Sequence, residues 1–426
     1  MPDMYQFITA QIRKFNPLYI AISLSLLMLA VIIMLKGSAA YNYDSPSYFS
    51  AWDDYLSKGE IDIFRTPVYP YVIGIGKLLL GETYWPYFTT ILQAIVFYAC
   101  GIVFTKVIFH FVSNRYAAWT TVFLYFLFYP IINMINVVGT EALSFSLVAL
   151  WLYCVWQFME RPRLSHGIYI SLITLTLVML RPSMLILAIA ILLLAIVGSF
   201  MRQYRRNVLL LLPTLIPLIA AYVPYVNEMY RRTGLHTIST VSTINKYYMA
   251  RQYDVVLPEL LPDNPLAIKL MQCYSQRNDN VRHWAEICHI EAYGIMTYTE
   301  MENYATSFKE QHPDLWYSYI GSRIYESIFV EKTLKGIADY LVITLYTIAY
   351  ILLWIRRRCF SLSNFLILMI GGGSLLSLFL YAQDGFSRLM LPTSAALIIM
   401  GGQLLSCIKR HPWKIKLQGL LPLSGK

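Results

Sequence analysis

The chain consists mainly of long apolar segments that alternate with short polar stretches. A bilayer core of roughly 30 Å needs about 20 apolar residues for one helical crossing, and many segments reach that length without an interior charge. The pattern predicts an all-α polytopic membrane protein with about ten transmembrane helices. The first run is too long for a signal peptide and lacks a small-residue cleavage pattern, so we expect it to remain as an anchor. The predicted helices cover roughly residues 17–36, 86–109, 117–135, 138–158, 165–181, 183–200, 207–226, 336–355, 362–381 and 389–407.

Two polar segments are not predicted to cross the membrane. The first external loop, residues 36–85, contains an amphipathic stretch, Pro46–Leu56, and a glycine-spaced apolar stretch, Tyr69–Leu80, which are typical of short interfacial helices. The second segment, residues 227–335, is rich in tyrosine and long enough for a small, mostly helical domain. We therefore divide the chain into an N-terminal transmembrane module (1–226), a large external loop (227–335) and C-terminal transmembrane helices with a cytoplasmic tail (336–426).

Composition and charge narrow the class of protein. With 57% hydrophobic and 14% charged residues and a mean hydropathy of +0.52, the chain is too apolar for a soluble domain. Its net charge of +10 is concentrated in short clusters beside helix ends, such as Arg202, Arg205 and Arg206, as the positive-inside rule expects. This distribution places both termini in the cytoplasm and both polar segments outside. A basic nucleic-acid-binding surface is not indicated.

The cysteines and histidines do not predict a metal site. Cys273 and Cys288 both lie in the large external loop, where a disulfide and two free thiols are both open alternatives. The other cysteines fall in or next to apolar segments, where a buried thiol is expected. The histidines of the large external loop lack the spacing of zinc ligands. They are His236, His283, His289 and His312.

Four ionisable residues stand in the first external loop or at predicted ends of membrane helices: Asp44, Arg65, Glu141 and Arg181. A charge at such a position costs a few kcal/mol unless it is solvated or paired, so each is a candidate functional residue. The predicted topology places all four near one face of the membrane. We therefore expect them to meet in one site, although they are far apart in sequence.

The motifs around these residues resemble those of the GT-C superfamily of membrane glycosyltransferases. Within it, the chain is similar to the family 39-like group of protein O-mannosyltransferases and lipid A aminoarabinose transferases. The resemblance covers roughly residues 15–200 in motif order and the rest in topology. The motifs are Asp44 after the first helix, Arg65-x-Pro67-x-Tyr69-Pro70, Thr140-Glu141, Arg181-Pro182 and Arg388-x-x-x-Pro392.

The resemblance implies transfer of a sugar from a polyprenyl-phosphate carrier at the external face of a membrane, which for a bacterial inner membrane is the periplasmic face. It assigns the general base to Asp44. Many relatives carry a second acidic residue directly after the aspartate, whereas Ser45 follows here. An adjacent acidic pair for a metal is therefore missing. No cofactor is assigned, and a divalent metal stays an open question.

The chemistry of the residues agrees with this assignment. An acceptor hydroxyl that attacks an anomeric carbon needs a positioned carboxylate to take its proton, and the departing phosphate needs cations nearby. Arginine suits a lipid phosphate because its planar guanidinium donates two hydrogen bonds and keeps its charge. We predict that Arg65, Arg181 and Arg388 bind the donor phosphate and that Tyr48, Tyr69 and Glu141 support the site.

Each assignment has a structural alternative. Asp44 is also a favoured N-cap residue for the helix near Pro46. Glu141 is a candidate for hydrogen bonding to loop backbone in place of direct catalysis. Arg181 and Lys77 are candidates for extending toward lipid headgroups. Arg65 is equally a candidate for a clamp with an acidic residue of its own loop. Those acidic residues are Asp53, Asp54 and Asp62.

Two other functions stay open. An O-antigen polymerase-like or ligase-like glycan enzyme also has many helices and one large external loop, but it does not need the Asp44 and Arg65 pair. A transporter or flippase places charges at mid-membrane depth and shows a half-chain repeat, features that this sequence lacks. The expected partners are a polyprenyl-phosphate-linked sugar donor, a lipid, glycan or protein acceptor, and membrane lipids, but no nucleic acid. The run Asn245–Tyr248 is a candidate cover for the donor lipid.

Overall fold

The computed structural model describes residues 16–42, 44–200, 202, 204–256, 296–318, 351, 364–370, 372 and 391–408, and this part of the chain is mostly helical. The helices and strands, in chain order, are α1 (Pro17–Lys36), β1 (Ala40–Tyr41), α2 (Ser45–Lys58), α3 (Val68–Phe111), α4 (Arg115–Phe126), α5 (Tyr129–Ile135), β2 (Val137–Val138), α6 (Glu141–Glu160), α7 (Leu164–Leu180), α8 (Leu185–Phe200), α9 (Arg205–Thr214), α10 (Ile216–Thr233), α11 (Val241–Val256), α12 (Tyr298–Gln311) and α13 (Ser394–Ile408).

Several of these helices are long and apolar enough to cross a membrane. Among the described residues there are five such helices, or six when α9 and α10, which meet at a bend of 41°, count as one span. The apolar helices α7 and α13 are shorter. The protein is therefore a multi-pass membrane protein by the length and composition of its helices. The number of ten crossings and the domain boundaries stay predictions, and the predicted helix at 336–355 lies outside the described residues except for residue 351.

Local sequence explains where the first helices begin and end. Helix α1 begins at Pro17 after the N-cap Asn16, whose side chain accepts a hydrogen bond from the backbone N–H of Leu18. Its bounds coincide with the predicted 17–36. Helix α3 is broken at Gly81, where φ is 74° and ψ is 177°, a conformation that is accessible mainly to glycine. The break separates the apolar stretch predicted as interfacial from the part predicted to span the membrane.

The core lies between the transmembrane helices. Helices α3 and α6 pack extensively against each other, and α4 closes the same cluster. Phe97, Tyr125 and Phe145 are fully buried and stack, with ring centroids 5.3 Å apart between Phe97 and Tyr125 and 5.1 Å between Tyr125 and Phe145. These stacked rings pack α3, α4 and α6 against one another, and α3 and α6 carry polar residues described below.

Helix α2, which lies in the first external loop, packs closely on the first part of α3. A Cβ atom on Gly74 would lie 2.3 Å from the Trp52 ring, so only glycine permits this approach. The chain between α1 and α2 forms strand β1, which pairs in parallel with β2 before α6; Ala40 pairs with Val137 and Tyr41 with Val138. This two-stranded pair is the one departure from the all-α prediction within the described residues, and it ties the first external loop to the start of α6.

Candidate active site

The centre of the candidate site is an ion pair at the start of α2. Arg65 donates from Nη2 to Asp44 Oδ1 at 2.8 Å and from Nε to Ser47 Oγ at 2.7 Å. The two side chains are partly exposed, Arg65 by 16% and Asp44 by 24%. Asp44 occupies the N-cap position of α2, but its side chain makes no capping hydrogen bond. The carboxylate is therefore directed to the arginine, and the capping alternative does not describe it.

Arg65 pairs with Asp44 and not with Asp53, Asp54 or Asp62, the partners considered for a clamp. Asp62 instead accepts hydrogen bonds from the backbone N–H groups of Phe64, at 2.7 Å, and of Arg65, which closes a tight turn before the arginine. Asp53 and Asp54 pair with lysines, Lys77 and Lys58 respectively. The side chain of Lys77 is only 9% exposed and also contacts Glu82 at 3.3 Å, so it pairs with carboxylates instead of extending to lipid headgroups.

A second ion pair lies deeper. Arg181 Nη1 contacts Glu141 Oε1 at 3.2 Å and Thr140 Oγ1 at 3.4 Å. The Glu141 side chain is 1% exposed and the Arg181 side chain 11%. Glu141 is in the first turn of α6, where the helix dipole favours a negative charge. The carboxylate thus engages at least one N–H group of Arg181, and a role of Glu141 in holding loop backbone stays a prediction.

Tyr48 packs near both ion pairs. The Arg65 guanidinium lies 4.6 Å from the centroid of the Tyr48 ring, and Tyr48 belongs to the buried cluster that contains Leu143 and Leu180, neighbours in sequence of Glu141 and Arg181. Burial raises the pKa of the Tyr48 phenol; the charge of Arg65 offsets part of the rise, and the charge of Glu141 adds to it. The phenol is therefore a neutral, buried group at neutral pH.

Below Tyr48, two buried polar side chains continue the network. The Tyr48 and Tyr69 rings meet edge to face with centroids 5.0 Å apart. The Tyr69 hydroxyl donates to Gln93 Oε1 at 3.3 Å. Gln93 Nε2 in turn donates to the carbonyls of Ile135, at 3.0 Å, and Val137, at 2.9 Å. Sequence reasoning missed Gln93, although a glutamine inside an apolar helix could have marked it.

The parallel strand pair explains how distant residues reach the same place. Asp44 comes three residues after β1 ends, and Glu141 comes three residues after β2 ends. Because parallel strands run in the same direction, both acidic residues emerge at the same end of the pair. The Ser45 hydroxyl locks this arrangement by donating to the Val138 carbonyl at 2.6 Å, across 93 residues of sequence.

Two asparagines complete the connection between these segments, and sequence reasoning missed both. Asn136 accepts from the backbone N–H of Ala39 at 3.1 Å and donates to the Gly37 carbonyl at 2.7 Å. Asn42 Oδ1 accepts from the backbone N–H groups of Asp44 and Ser45, both at 3.0 Å. Such side-chain to backbone bonds satisfy loop groups that would otherwise be buried without partners.

Other predicted residues contribute less to the site or lie outside the described residues. Arg388, Cys273, Cys288, His283 and His289 lie outside. His236 stacks on Tyr230 with ring centroids 4.1 Å apart, and His312 contacts Phe308. Lys246 and Tyr247 of the run expected to cover the donor are engaged elsewhere: Lys246 pairs with Glu302 at 2.7 Å, and Tyr247 is 2% exposed. In the part of the chain that the structure describes, no group of three or more His, Cys, Asp or Glu side chains could hold a metal ion.

The comparisons with known proteins establish the fold. No family model matches the chain, and no curated protein matches it in sequence. In three dimensions the chain is similar to the archaeal oligosaccharyltransferase AglB from Archaeoglobus fulgidus, solved in complex with an inhibitory peptide and a dolichol-phosphate. The TM-score is 0.50 at 13% sequence identity, and the match covers 96% of this chain and 52% of that chain. The chain therefore shares the fold of that neighbour and spans about half of its length.

Proposed function

We propose that the protein is an integral membrane glycosyltransferase that moves a sugar from a polyprenyl-phosphate carrier to an acceptor on the non-cytoplasmic face. The observation that carries the proposal is the Asp44–Arg65 pair, a carboxylate and a guanidinium 2.8 Å apart at a partly exposed position. A base and a phosphate-binding cation are the two groups that this transfer needs. The fold that the chain shares with an oligosaccharyltransferase solved with a dolichol-phosphate supports the same reaction class.

In the proposed reaction, an acceptor hydroxyl attacks the anomeric carbon of the lipid-linked sugar. A C–O bond to the acceptor forms, the bond between the anomeric carbon and the phosphate oxygen breaks, and the leaving polyprenyl phosphate keeps the electron pair. Asp44 takes the acceptor proton, and the Arg65 guanidinium stabilises the charge on the leaving phosphate. Arg388 remains a predicted second phosphate ligand, and Arg181, whose Nη1 contacts Glu141, remains a predicted third.

The ion pair has to open for this chemistry, and its position favours exchange with a ligand. A donor phosphate offers strong acceptor oxygens to Arg65 and competes with Asp44 for the same N–H groups. Because both side chains are partly exposed, a ligand reaches the pair without unfolding α2. Donor binding would then release the carboxylate to the acceptor, whereas the buried Glu141–Arg181 pair stays closed and holds the site in shape.

The substitution Asp44→Asn tests the proposed base. It keeps the size and a hydrogen-bonding side chain but removes the proton acceptor, so transfer should fall by about 10²- to 10⁴-fold. The matched control is Asp54→Asn, the same change on the same helix, in an exposed pair with Lys58. Lipid-linked sugars and glycoconjugates are compared by mass spectrometry in cells that express each variant. Retained transfer in Asp44→Asn would overturn the base assignment and favour the glycan polymerase or ligase alternative.

The phosphate role of Arg65 is tested by binding. Arg65→Ala removes charge-assisted hydrogen bonds, so the affinity for polyprenyl phosphate in detergent should fall about tenfold or more. Arg231→Ala, in an exposed pair with Glu228, is the control and should bind as the unmodified protein does. Equal affinity of Arg65→Ala and the unmodified protein would remove Arg65 from the phosphate site.

A further inference from the structure

The turn that carries Arg65 is held from outside by a segment that begins the large external loop. Ser239 donates from Oγ to the carbonyl of Phe64 at 2.6 Å. Thr240 donates to the carbonyl of Ile63 twice, from the backbone N–H at 3.0 Å and from Oγ1 at 3.1 Å. These carbonyls belong to the two residues directly before Arg65. The contacts join residues 175 and 177 positions apart in sequence.

A third contact holds the start of the same turn. Arg232, in the last turn of α10, donates from Nη2 to Glu60 Oε2 at 2.6 Å and from Nη1 to the carbonyl of Ile61. The Arg232 side chain is 23% exposed. With Ser239 and Thr240, this arginine supports the backbone carbonyls of residues 61, 63 and 64 and the side chain of Glu60.

The supporting segment is itself rigidly attached to the helices. The Tyr225 hydroxyl of α10 donates to the Ile238 carbonyl at 3.1 Å, and both side chains are buried in the cluster that contains Val178 and Met179 of α7. Ser239 and Thr240 are 5% and 0% exposed. The segment is therefore bonded both to α10 and to the turn before Arg65, so it ties the turn to the helices.

We infer that Ser239 and Thr240, with Arg232, are positioning residues for Arg65. They hold the carbonyls on one side of the turn while Asp62 holds the N–H groups of Phe64 and Arg65 on the other. The guanidinium is then held where it reaches Asp44 and a donor phosphate. The inference rests on the proposed function only in taking that phosphate as the ligand of Arg65.

The chain offers a matched control for a hydroxyl of this kind. Thr243 is also buried, 4% exposed, and lies one turn further along α11, but its hydroxyl donates to Glu302 Oε2 of α12 at 2.7 Å. Thr243→Val thus removes a comparable hydrogen bond that does not reach the first external loop. Thr240→Ser keeps the hydroxyl and serves as the conservative variant.

The experiment measures two quantities on the full chain in detergent: hydrogen exchange of the amides of residues 61–66, and affinity for polyprenyl phosphate. Ser239→Ala and Thr240→Val should each speed that exchange and weaken the affinity roughly three- to tenfold, since each loses one hydrogen bond to the turn. Thr240→Ser should stay near the unmodified protein in both. Thr243→Val should leave both unchanged and speed exchange in α11 and α12 instead.

Unchanged exchange at residues 61–66 in Ser239→Ala and Thr240→Val would overturn the inference, as would an equal loss of affinity in Thr243→Val. Arg65→Ala, measured in parallel, separates this result from the proposed function. If Arg65→Ala binds polyprenyl phosphate normally, the phosphate role of Arg65 fails, and modification of Arg65 by phenylglyoxal then replaces affinity as the second readout. Faster modification in Thr240→Val than in Thr243→Val would support positioning, and equal rates would contradict it.

Discussion

The two ion pairs of the site have the same chemical groups but very different surroundings. Asp44 and Arg65 pair at 2.8 Å in the first external loop with both side chains partly exposed. Glu141, at the start of α6, pairs at 3.2 Å with Arg181, which directly precedes the 3₁₀ turn Pro182–Met184. The Glu141 side chain is 1% exposed. The two pairs therefore differ in the free energy that is needed to open them. A partly exposed pair costs less to open than a buried one, which leaves a charge without solvation when it is broken.

This contrast suggests different roles for the Asp44–Arg65 and Glu141–Arg181 pairs, which the sequence does not distinguish. The exposed pair is able to exchange partners with a phosphate and an acceptor, as the proposed reaction requires. We expect the buried pair to hold the start of α6 and the end of α7 together at the base of the site. The contrast predicts that substitutions in the first pair change transfer, and that substitutions in the second change stability first.

The largest expected effect comes from breaking the buried pair. Glu141→Ala leaves Arg181 charged and buried, which should cost about 3–5 kcal/mol in the free energy of unfolding. The double substitution Glu141→Leu with Arg181→Met removes both charges and should recover much of that loss. Thermal unfolding in detergent measures both. Should Glu141→Ala alone lie within about 1 kcal/mol of the unmodified protein, the pair is solvated and the contrast is wrong.

The next effect concerns the packing of α2, the helix that begins beside the partly exposed Asp44–Arg65 pair, against α3. Gly74→Ala places a Cβ against the Trp52 ring, so α2 has to shift or the protein loses about 1–3 kcal/mol. Glycine to alanine in a helix otherwise stabilises by about 1 kcal/mol, so a loss is diagnostic of the close packing. Transfer should fall together with stability, because α2 carries Asp44. Ile75→Ala, on the exposed side of the same helix, is the control, and an equally stable Gly74→Ala protein would contradict the close contact.

A smaller change tests whether the two pairs are linked. Tyr48→Phe keeps the ring under Arg65 but removes the hydroxyl, which should cost about 0.5–1.5 kcal/mol if a hydrogen bond of that hydroxyl links the pairs. Tyr48→Leu also removes the ring and should weaken polyprenyl phosphate binding further. Unfolding and binding measured on both variants separate the hydroxyl from the ring. Identical behaviour of Tyr48→Phe and the unmodified protein would mean that the pairs act independently.

The smallest expected effect comes from a third pair, away from the site. Burial alone would raise the pKa of the Glu302 carboxyl, but hydrogen bonds from Lys246 and Thr243 outweigh it and hold that pKa below its usual value. A lowered pKa adds stability above the unfolded-state pKa of about 4.3, and that stability is lost as the pH falls through the folded-state value. The protection of α11 and α12 amides, taken relative to the intrinsic exchange rate at each pH, should therefore fall on acidification, and Glu302→Gln should remove the dependence. A dependence that persists in Glu302→Gln would assign it to other groups.

Sequence reasoning succeeded where the cause is local. The bounds of α1 follow from a 20-residue apolar run with an N-cap and a proline at its start. The break at Gly81 lies between the interfacial and membrane-spanning stretches that the sequence predicts. A charge at a helix mouth is costly without a partner, which singles out four charged residues in the sequence. The structure joins them in two ion pairs, Asp44 with Arg65 and Glu141 with Arg181.

The sequence by itself determined the helices and which charged residues need partners, because hydrophobicity, caps and the cost of burying a charge are properties of short segments. Only the tertiary structure decided which carboxylate meets which arginine and how deeply each pair lies. Strands of two residues, such as β1 and β2, leave no periodicity to detect, and Gln93, Asn136 and Thr240 act on carbonyls up to 177 residues away. Such contacts arise from the packing of helices against one another, which no local pattern encodes.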